Sequence, residues 1–75
     1  MKRNLVSANS IISVGYDANV KVLEVEFRDG SIVQYLDFSI DGYIELMLVD
    51  GFNEVYFSDH VRGKYTQNLV RQAKH

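Results

Sequence analysis

Two runs of alternating apolar and polar residues flank the dipeptide Asp29-Gly30. In the first run, about Val20 to Phe27, the apolar side chains occupy every second position, which is the period of a half-buried strand. Asp-Gly between two such runs predicts a two-residue hairpin turn, because both central residues of that turn need positive φ. An antiparallel strand pair with its turn at Asp29-Gly30 is the feature that most constrains the fold.

The position of this turn also predicts which residues share a face. Centring the turn on Asp29-Gly30 places Phe27 opposite Ile32 and Glu24 opposite Tyr35. One face is then apolar and is expected to meet the core; it carries Leu23, Val25, Phe27, Ile32 and Leu36. The other face is mixed and carries Glu24, Glu26, Val33 and Tyr35. Tyr35 is therefore expected on the mixed face, where its ring could meet a ligand or a second copy of the chain; whether Tyr35 and Tyr65 are core or binding residues stays open from the sequence.

An earlier strand and a helix are predicted on either side of this hairpin. The alternating segment Ile11–Tyr16 is followed by the turn residues 17–19, which indicates a first strand. After the hairpin, apolar residues recur at helical spacing, which predicts a helix over about Ser39–Val49 with Ser39 as its N-cap and Asp50-Gly51 as its end. The residues expected in its buried stripe are Ile40, Tyr43, Ile44, Met47 and Leu48.

A second helix is predicted to start at Ser58-Asp59, because Val61, Tyr65 and Leu69 follow at intervals of four residues. The segment before it, which includes Tyr56-Phe57, is expected to be extended or turn-like. The resulting fold class is α+β, a three-stranded antiparallel meander with two short helices on one face. Residues 1–9 are expected to form a flexible N-terminal arm, and residues 10–75 a single domain.

Composition excludes several kinds of site. The 75 residues include no cysteine and two histidines, so a disulfide framework, a thiolate zinc site and a three-histidine metal site are excluded. The longest apolar-rich stretch, 46–49, is far shorter than the roughly 20 residues that cross a bilayer. We therefore expect a cytoplasmic domain without a membrane span, a metal ion or a cofactor.

Catalytic motifs are also missing from the sequence. It contains neither Gly-x-Ser-x-Gly nor a glycine-rich phosphate-binding loop. Glu24 and Glu26 point the same way on a strand, an arrangement that serves acid–base catalysis or cation binding but is more common on the solvated face of a sheet. We expect that the protein is not an enzyme.

Charge is unevenly distributed along the chain. Residues 1–57 hold four basic and nine acidic side chains, a net of −5, while residues 58–75 hold four basic and one acidic, a net of +3. A basic segment with aromatic residues is suited to neutralising phosphates and stacking on bases, although the same charges also serve solubility. The candidate ligand-binding residues are Tyr35, His60, Arg62, Lys64, Tyr65 and Arg71.

Several short motifs occur together in one order along the chain. They are Gly15-Tyr16-Asp17, Phe27-Arg28-Asp29-Gly30, Tyr56-Phe57 and Arg62-Gly63-Lys64-Tyr65. In these motifs the sequence resembles the KTSC domain, a short domain named for the C-terminus of some lysyl-tRNA synthetases and also found as a stand-alone bacterial or phage protein. The family's central Tyr-x-Tyr is replaced here by Val33-Gln34-Tyr35. The resemblance implies RNA binding, and it marks Tyr35, Arg62 and Tyr65 as positions that the family pattern uses.

Two functions remain open from the sequence. One is a non-catalytic binding module for RNA, single-stranded nucleic acid or a nucleotide-like anion, with Arg62, Lys64, Arg71 and Lys74 on phosphates and Tyr35 as a stacking ring. The other is a protein-interaction or self-assembling module, such as a small phage-encoded inhibitor of a host protein. Residues 17–57 carry a net charge of −7, from nine acidic and two basic side chains, which would suit a basic partner. A homodimer through the mixed sheet face and a monomer are both compatible with the pattern.

Overall fold

The computed structural model describes residues 3–47 and 51–72. Over these residues the chain forms one antiparallel sheet of five strands in sequential order, with two helices between the fourth and fifth strands. The strands are β1 Asn4–Leu5, β2 Ile11–Asp17, β3 Val22–Phe27, β4 Ile32–Tyr35 and β5 Gln67–Arg71; the helices are α1 Ile40–Leu46 and α2 Glu54–His60. The predicted α+β class with two helices is confirmed. The three predicted strands correspond to β2, β3 and β4, so the sheet is larger than predicted.

The hairpin between β3 and β4 has a three-residue loop rather than the predicted two-residue turn. The Gly30 N–H donates to the Phe27 carbonyl at 3.0 Å, and the Phe27 N–H donates to the Ser31 carbonyl at 2.8 Å. Gly30 has a φ of +95°, which favours glycine because a side chain at that angle meets its own backbone. The Asp-Gly signal located the turn correctly, but the loop includes Arg28 as well.

The extra loop residue shifts the strand register by one position. Leu23 pairs with Tyr35 and Val25 pairs with Val33, whereas Tyr35 was predicted opposite Glu24. Since side chains alternate between the two faces, this shift moves Val33 and Tyr35 to the core side of the sheet. Tyr35 is 1% exposed, so its predicted position on an outer mixed face was wrong.

Helix α1 starts where the sequence predicts but buries a partly different face. The Ser39 hydroxyl caps it by accepting a hydrogen bond from the Gly42 N–H at 3.1 Å. Tyr43 and Met47 of the predicted stripe are partly buried against the core, but Ile40 and Ile44 are about half exposed and Leu46 is fully buried, so the stripe was predicted only in part. The Phe38 ring explains the rotation, because it lies close to Gly42 and only a residue without a Cβ fits easily against it. Leu48, Val49 and Asp50 lie outside the described residues.

Helix α2 begins five residues before the predicted start. Asn53 is its N-cap, since its side-chain oxygen accepts a hydrogen bond from the Tyr56 N–H at 3.0 Å. The helix ends before Gly63, whose φ of +76° is incompatible with a continuing right-handed helix. The residues expected to continue it, up to Leu69, instead lead into β5, which gains its backbone hydrogen bonds from the edge of β4.

The segment predicted as a flexible arm contacts both the sheet and α2. Strand β1 pairs with β2. The Arg28 guanidinium donates to the carbonyls of Ala8 at 3.0 Å and Asn9 at 2.8 Å. The Glu54 carboxylate accepts hydrogen bonds from the Asn9 and Ser10 N–H groups and from the Ser10 hydroxyl. Residues 3–9 are thus tied to the domain by strand pairing and by two charged side chains.

The core lies between the sheet and the helices, and aromatic rings occupy its centre. Phe57, on α2, is fully buried, and its ring lies 5.6 Å from the rings of Tyr35 and Phe52 and 6.1 Å from the ring of Phe27. Because Phe57 fixes α2 against β3 and β4, it also determines where the residues that follow α2 lie relative to the sheet. None of the helices in the described part of the chain has the length and apolar character needed to span a membrane.

Candidate functional site

An open cleft of about 460 Å³ lies on the core side of the sheet, beside the β3–β4 hairpin. Its wall is formed by the hairpin, by residues 9–10 and by the segment that follows α2. Among the residues that line it are Phe27, Arg28, Asp29, Tyr35 and Arg62. We call it the Arg62 cleft. Its volume lies within the roughly 300–1,000 Å³ typical of small-molecule sites.

Arg62 is held at this cleft by the end of α2. Its backbone N–H donates to the Phe57 carbonyl at 2.9 Å, which closes the last turn of the helix. Its guanidinium carbon lies 5.2 Å from the centroid of the Phe27 ring, a cation–π distance. Across residues 3–47 and 51–72, no hydrogen bond or ion pair of the structure involves this guanidinium. Arg62 therefore presents a positive charge that no carboxylate of the described residues neutralises by direct contact.

Tyr35 forms part of the floor of the same cleft. Its ring meets the Phe57 ring edge-on, with centroids 5.6 Å apart and planes at 85°, so its position is set by the core. Burial raises the pKa of the Tyr35 phenol, and the positive charge of Arg62 opposes this rise. Tyr35 and Arg62 thus line the same cleft. At neutral pH the phenol keeps its proton and is a hydrogen-bond donor.

The hairpin loop contributes two further charges. Arg28 lines the cleft while its guanidinium donates to the Ala8 and Asn9 carbonyls. Asp29 also lines it, and its carboxylate accepts hydrogen bonds from the Ser31 N–H at 2.9 Å and the Ser31 hydroxyl at 2.7 Å. With two arginines and one aspartate, the charged residues that line the cleft sum to +1. The cleft is therefore suited to an anion.

The other predicted binding residues lie elsewhere. His60 and Tyr65 line a second cleft between the helices, where the His60 ring lies 4.6 Å from that of Tyr56 and the Tyr65 ring 4.8 Å from that of Phe38. Lys64 is exposed and lines neither of these two clefts. The six candidates therefore do not form one site: Tyr35 and Arg62 come together, and the other four do not join them.

Arg71 lies on the opposite face of the sheet from the Arg62 cleft. Its guanidinium donates to the Glu26 carboxylate at 3.0 Å and to the Gly30 carbonyl at 2.6 Å. Arg71 lies in β5 and pairs with Ile32 of β4. At this position of the register the side chains point away from the core, so the guanidinium lies on the outer face of the sheet. Arg71 is therefore already paired with a carboxylate.

The two glutamates of β3 are paired with arginines on that outer face. Glu24 forms an ion pair with Arg3 and is 5% exposed. The pKa of Glu26 is lowered overall from its ordinary value. The largest cause is the hydrogen bond from the Ser13 hydroxyl; burial opposes it, and the positive charges of Arg71 and Arg3 add to it. The sequence predicted an acidic surface that would attract a basic partner. Along β3, however, Arg3 and Arg71 neutralise the negative charges of the two glutamates. No group of three or more histidine or carboxylate side chains in the described segments is arranged to hold a metal ion.

Phe27 and Arg28 line the cleft although the sequence patterns did not single them out as binding residues. Phe27 was assigned to the core, and it is 7% exposed, but it also supplies the ring beneath Arg62. Arg28 was named only within the motif Phe27-Arg28-Asp29-Gly30. The Arg28-Asp29-Gly30 segment contains the signal that was available, because a three-residue loop with glycine at its third position places both charges at the hairpin tip.

The KTSC domain family model matches residues 7–65. The chain belongs to the KTSC domain family. A crystal structure of a KTSC domain protein from Yersinia pestis superposes with a TM-score of 0.84 at 27% identity, covering 93% of this chain and 97% of that one. An uncharacterized protein of Stutzerimonas stutzeri (strain A1501) is 33% identical over 66 residues, which cover 83% of this chain and 93% of that protein. The resemblance inferred from the sequence motifs is confirmed, and so is the small α+β fold of this KTSC domain.

Proposed function

We propose that this KTSC domain is a non-catalytic binding module for a nucleotide-like anion and that the Arg62 cleft is its binding site. The observation that carries the proposal is the Arg62 guanidinium, which lies over the Phe27 ring without a carboxylate partner among the described residues. Arginine binds phosphate oxygens through two parallel N–H groups, so an unpaired guanidinium beside a small cleft is suited to a phosphate group.

The distribution of cations favours a single nucleotide-like ligand over an extended RNA strand. A strand without a base-paired partner is bound by a line of cations that follows its backbone. Here Arg71 lies on the other face of the sheet and is paired with Glu26, and Lys64 lines neither cleft. Lys74 lies outside the described residues. The Arg62 cleft has the volume of a small-molecule site, so the ligand we expect is one nucleotide or the end of a strand.

Isothermal titration calorimetry with adenosine monophosphate tests the proposal. The variant Arg62→Gln removes the guanidinium, and Lys64→Gln is its matched control, since both substitutions remove one positive charge from the segment after α2. Loss of a charge-assisted hydrogen bond is expected to weaken binding by about tenfold or more. We expect that loss for Arg62→Gln and less than a twofold change for Lys64→Gln.

Two results would contradict the proposal. If both variants weaken binding equally, the ligand is held by general charge rather than by the cleft. If adenosine monophosphate shows no binding to the wild-type protein at millimolar concentration, while a short single-stranded RNA binds with a steep salt dependence, a strand-binding surface replaces the cleft as the site.

A protein-interaction role is the second candidate, and β5 supports it. This strand is an edge of the sheet, and Leu69 and Val70 on it are about half exposed. An exposed edge strand offers backbone hydrogen-bond groups to a second chain, including another copy of the same domain. Native mass spectrometry of the wild type and of Leu69→Lys tests this. A dimer that the substitution converts to a monomer would support the interaction role, and a wild-type monomer at tens of micromolar would count against self-association.

A further inference from the structure

Tyr35 combines deep burial with a hydroxyl group that the protein does not use. The residue is 1% exposed. In the described part of the chain its hydroxyl neither donates nor accepts a hydrogen bond, whereas the Tyr16 hydroxyl donates to the Phe38 carbonyl. Polar groups of buried residues are usually paired within the protein, so a hydroxyl without a protein partner on a buried residue calls for an explanation.

The position of the hydroxyl supplies that explanation. No side-chain nitrogen or oxygen in the described residues is both sealed from solvent and without a hydrogen-bond partner. The Tyr35 hydroxyl has no partner and is therefore in contact with solvent, although the rest of the residue is buried. Tyr35 lines the Arg62 cleft, so the hydroxyl meets solvent there.

We infer that the Tyr35 hydroxyl is a second anion-binding group of the Arg62 cleft, and that the two side chains together select a phosphate monoester. This inference rests on the proposed function and narrows its ligand class. The Tyr35 ring is fixed against Phe57, so its phenol is in place before a ligand arrives. The backbone of Arg62 is held by the end of α2, and its exposed side chain lies over the Phe27 ring. Such preorganisation lowers the entropic cost of binding.

The choice of a monoester follows from the number of oxygen atoms that can accept hydrogen bonds. A guanidinium donates to two oxygens of a phosphate in its bidentate geometry, and the phenol donates to one more. A phosphate monoester carries a charge of about −1.5 to −2 and offers the phenol an oxygen that the guanidinium leaves free, whereas a diester carries one negative charge and the phenol has to share an oxygen with the guanidinium. The Asp29 carboxylate, which also lines the cleft, is engaged by the Ser31 N–H and hydroxyl, and Arg28 adds a positive charge beside it.

The test compares Tyr35→Phe with wild type in calorimetric titrations of adenosine monophosphate and of its phosphate methyl ester, a diester. Tyr65→Phe is the matched control, because it removes a phenol hydroxyl from a partly buried ring outside the cleft. We expect wild type to bind the monoester about tenfold more tightly than the diester, which corresponds to one hydrogen bond to a charged group. Tyr35→Phe is expected to lose that preference, and Tyr65→Phe to keep it.

Urea unfolding of the same variants shows whether the Tyr35 hydroxyl instead stabilises the fold, because a structural role would change the urea midpoint. Since the Tyr35 hydroxyl has no partner in the protein, Tyr35→Phe is expected to leave the urea midpoint unchanged or slightly raised. A lower midpoint together with unchanged affinity would overturn the inference, because the hydroxyl would then belong to the fold.

The remaining outcomes separate this inference from the proposed function. If Arg62→Gln weakens binding of the monophosphate while Tyr35→Phe does not, the inference is wrong and the proposed function stands. If wild type binds the monoester and the diester equally, the selection for a monoester is refuted in the same way. If neither ligand binds in a manner that depends on Arg62, both the inference and the proposed function fail.

Discussion

Replacing Phe57 by alanine tests the account of how the helices are held on the sheet. Phe57 is fully buried, and its ring contacts three other aromatic rings, those of Phe27, Tyr35 and Phe52. Deleting a buried phenylalanine ring costs about 3–5 kcal/mol, the sum of lost transfer free energy and the cavity left behind. The contacts with three rings place the expected cost in the upper half of that range, since aromatic pairs contribute beyond their buried area.

That cost is large for a chain of 75 residues. At roughly 0.05–0.15 kcal/mol per residue, the whole domain has a free energy of unfolding of about 4–11 kcal/mol. Phe57→Ala is therefore expected to leave the domain marginally stable or unfolded. The milder Phe57→Leu keeps most of the volume and is expected to cost about 1–2.5 kcal/mol, through loss of shape complementarity and of ring contacts.

Urea unfolding followed by far-UV circular dichroism measures these changes. Val55→Ala is the control, because Val55 is on the same helix but 72% exposed, and its free energy of unfolding should change by less than about 0.7 kcal/mol. A Phe57→Ala variant that loses less than about 1 kcal/mol would refute the reasoning, since α2 would then not be anchored through this ring.

Three further predictions concern local contacts, each measured by urea unfolding. Hydrogen bonds from the Ser10 hydroxyl and the Asn9 N–H hold the pKa of Glu54 below its ordinary 4.5, so the stability from this carboxylate is present above pH 4.5 and is lost as pH falls through the lowered pKa. The urea midpoint of Glu54→Gln should therefore decrease less between pH 5 and pH 3 than that of wild type. An equal decrease in both proteins would contradict a stabilising role of the ionised Glu54. Gly30→Ala should cost about 1–2 kcal/mol because of its positive φ, and a neutral effect would argue against the three-residue loop. Asn53→Ala should cost about 1 kcal/mol, whereas Asn53→Asp should retain the cap; equal losses would argue against capping of α2.

The central hairpin shows how far sequence patterns alone determine this fold. Alternation and the Asp29-Gly30 signal locate β3, β4 and the turn between them. The same dipeptide fits a two-residue turn and a three-residue loop with glycine in the left-handed region, and the two differ by one residue of register. Choosing between them requires knowing that Tyr35 is buried, which depends on the ring of Phe57 from a distant helix.

The elements outside the hairpin were harder to predict because their signals are short. Val61, Tyr65 and Leu69 have the spacing of a helical stripe, but the positive φ of Gly63 interrupts it, and the edge of β4 provides backbone partners for a strand instead. Strand β1 has two residues, too few for alternation to be visible. Tertiary pairing, rather than local preference, determines the structure of these segments.

The candidate site was predicted in part. Arg62 and Tyr35 were both named from the sequence, one for its charge and one for its ring. Their meeting in one cleft depends on the register shift, because the predicted register places Tyr35 on the opposite face of the sheet. Arg71 was named for the same reason as Arg62, but strand β5 directs it to Glu26 on the outer face, which no charge count along the chain can show.

Binding of a nucleotide-like anion in the Arg62 cleft can be observed residue by residue in a nuclear magnetic resonance titration of the ¹⁵N-labelled protein with adenosine monophosphate. The account predicts saturable shifts at the backbone amides of Phe27, Arg28 and Tyr35 and at the Arg62 side-chain Nε–H, and their loss in Arg62→Gln. Shifts confined to β5, to the cleft between the helices that His60 and Tyr65 line, or to no residue at millimolar ligand would contradict it.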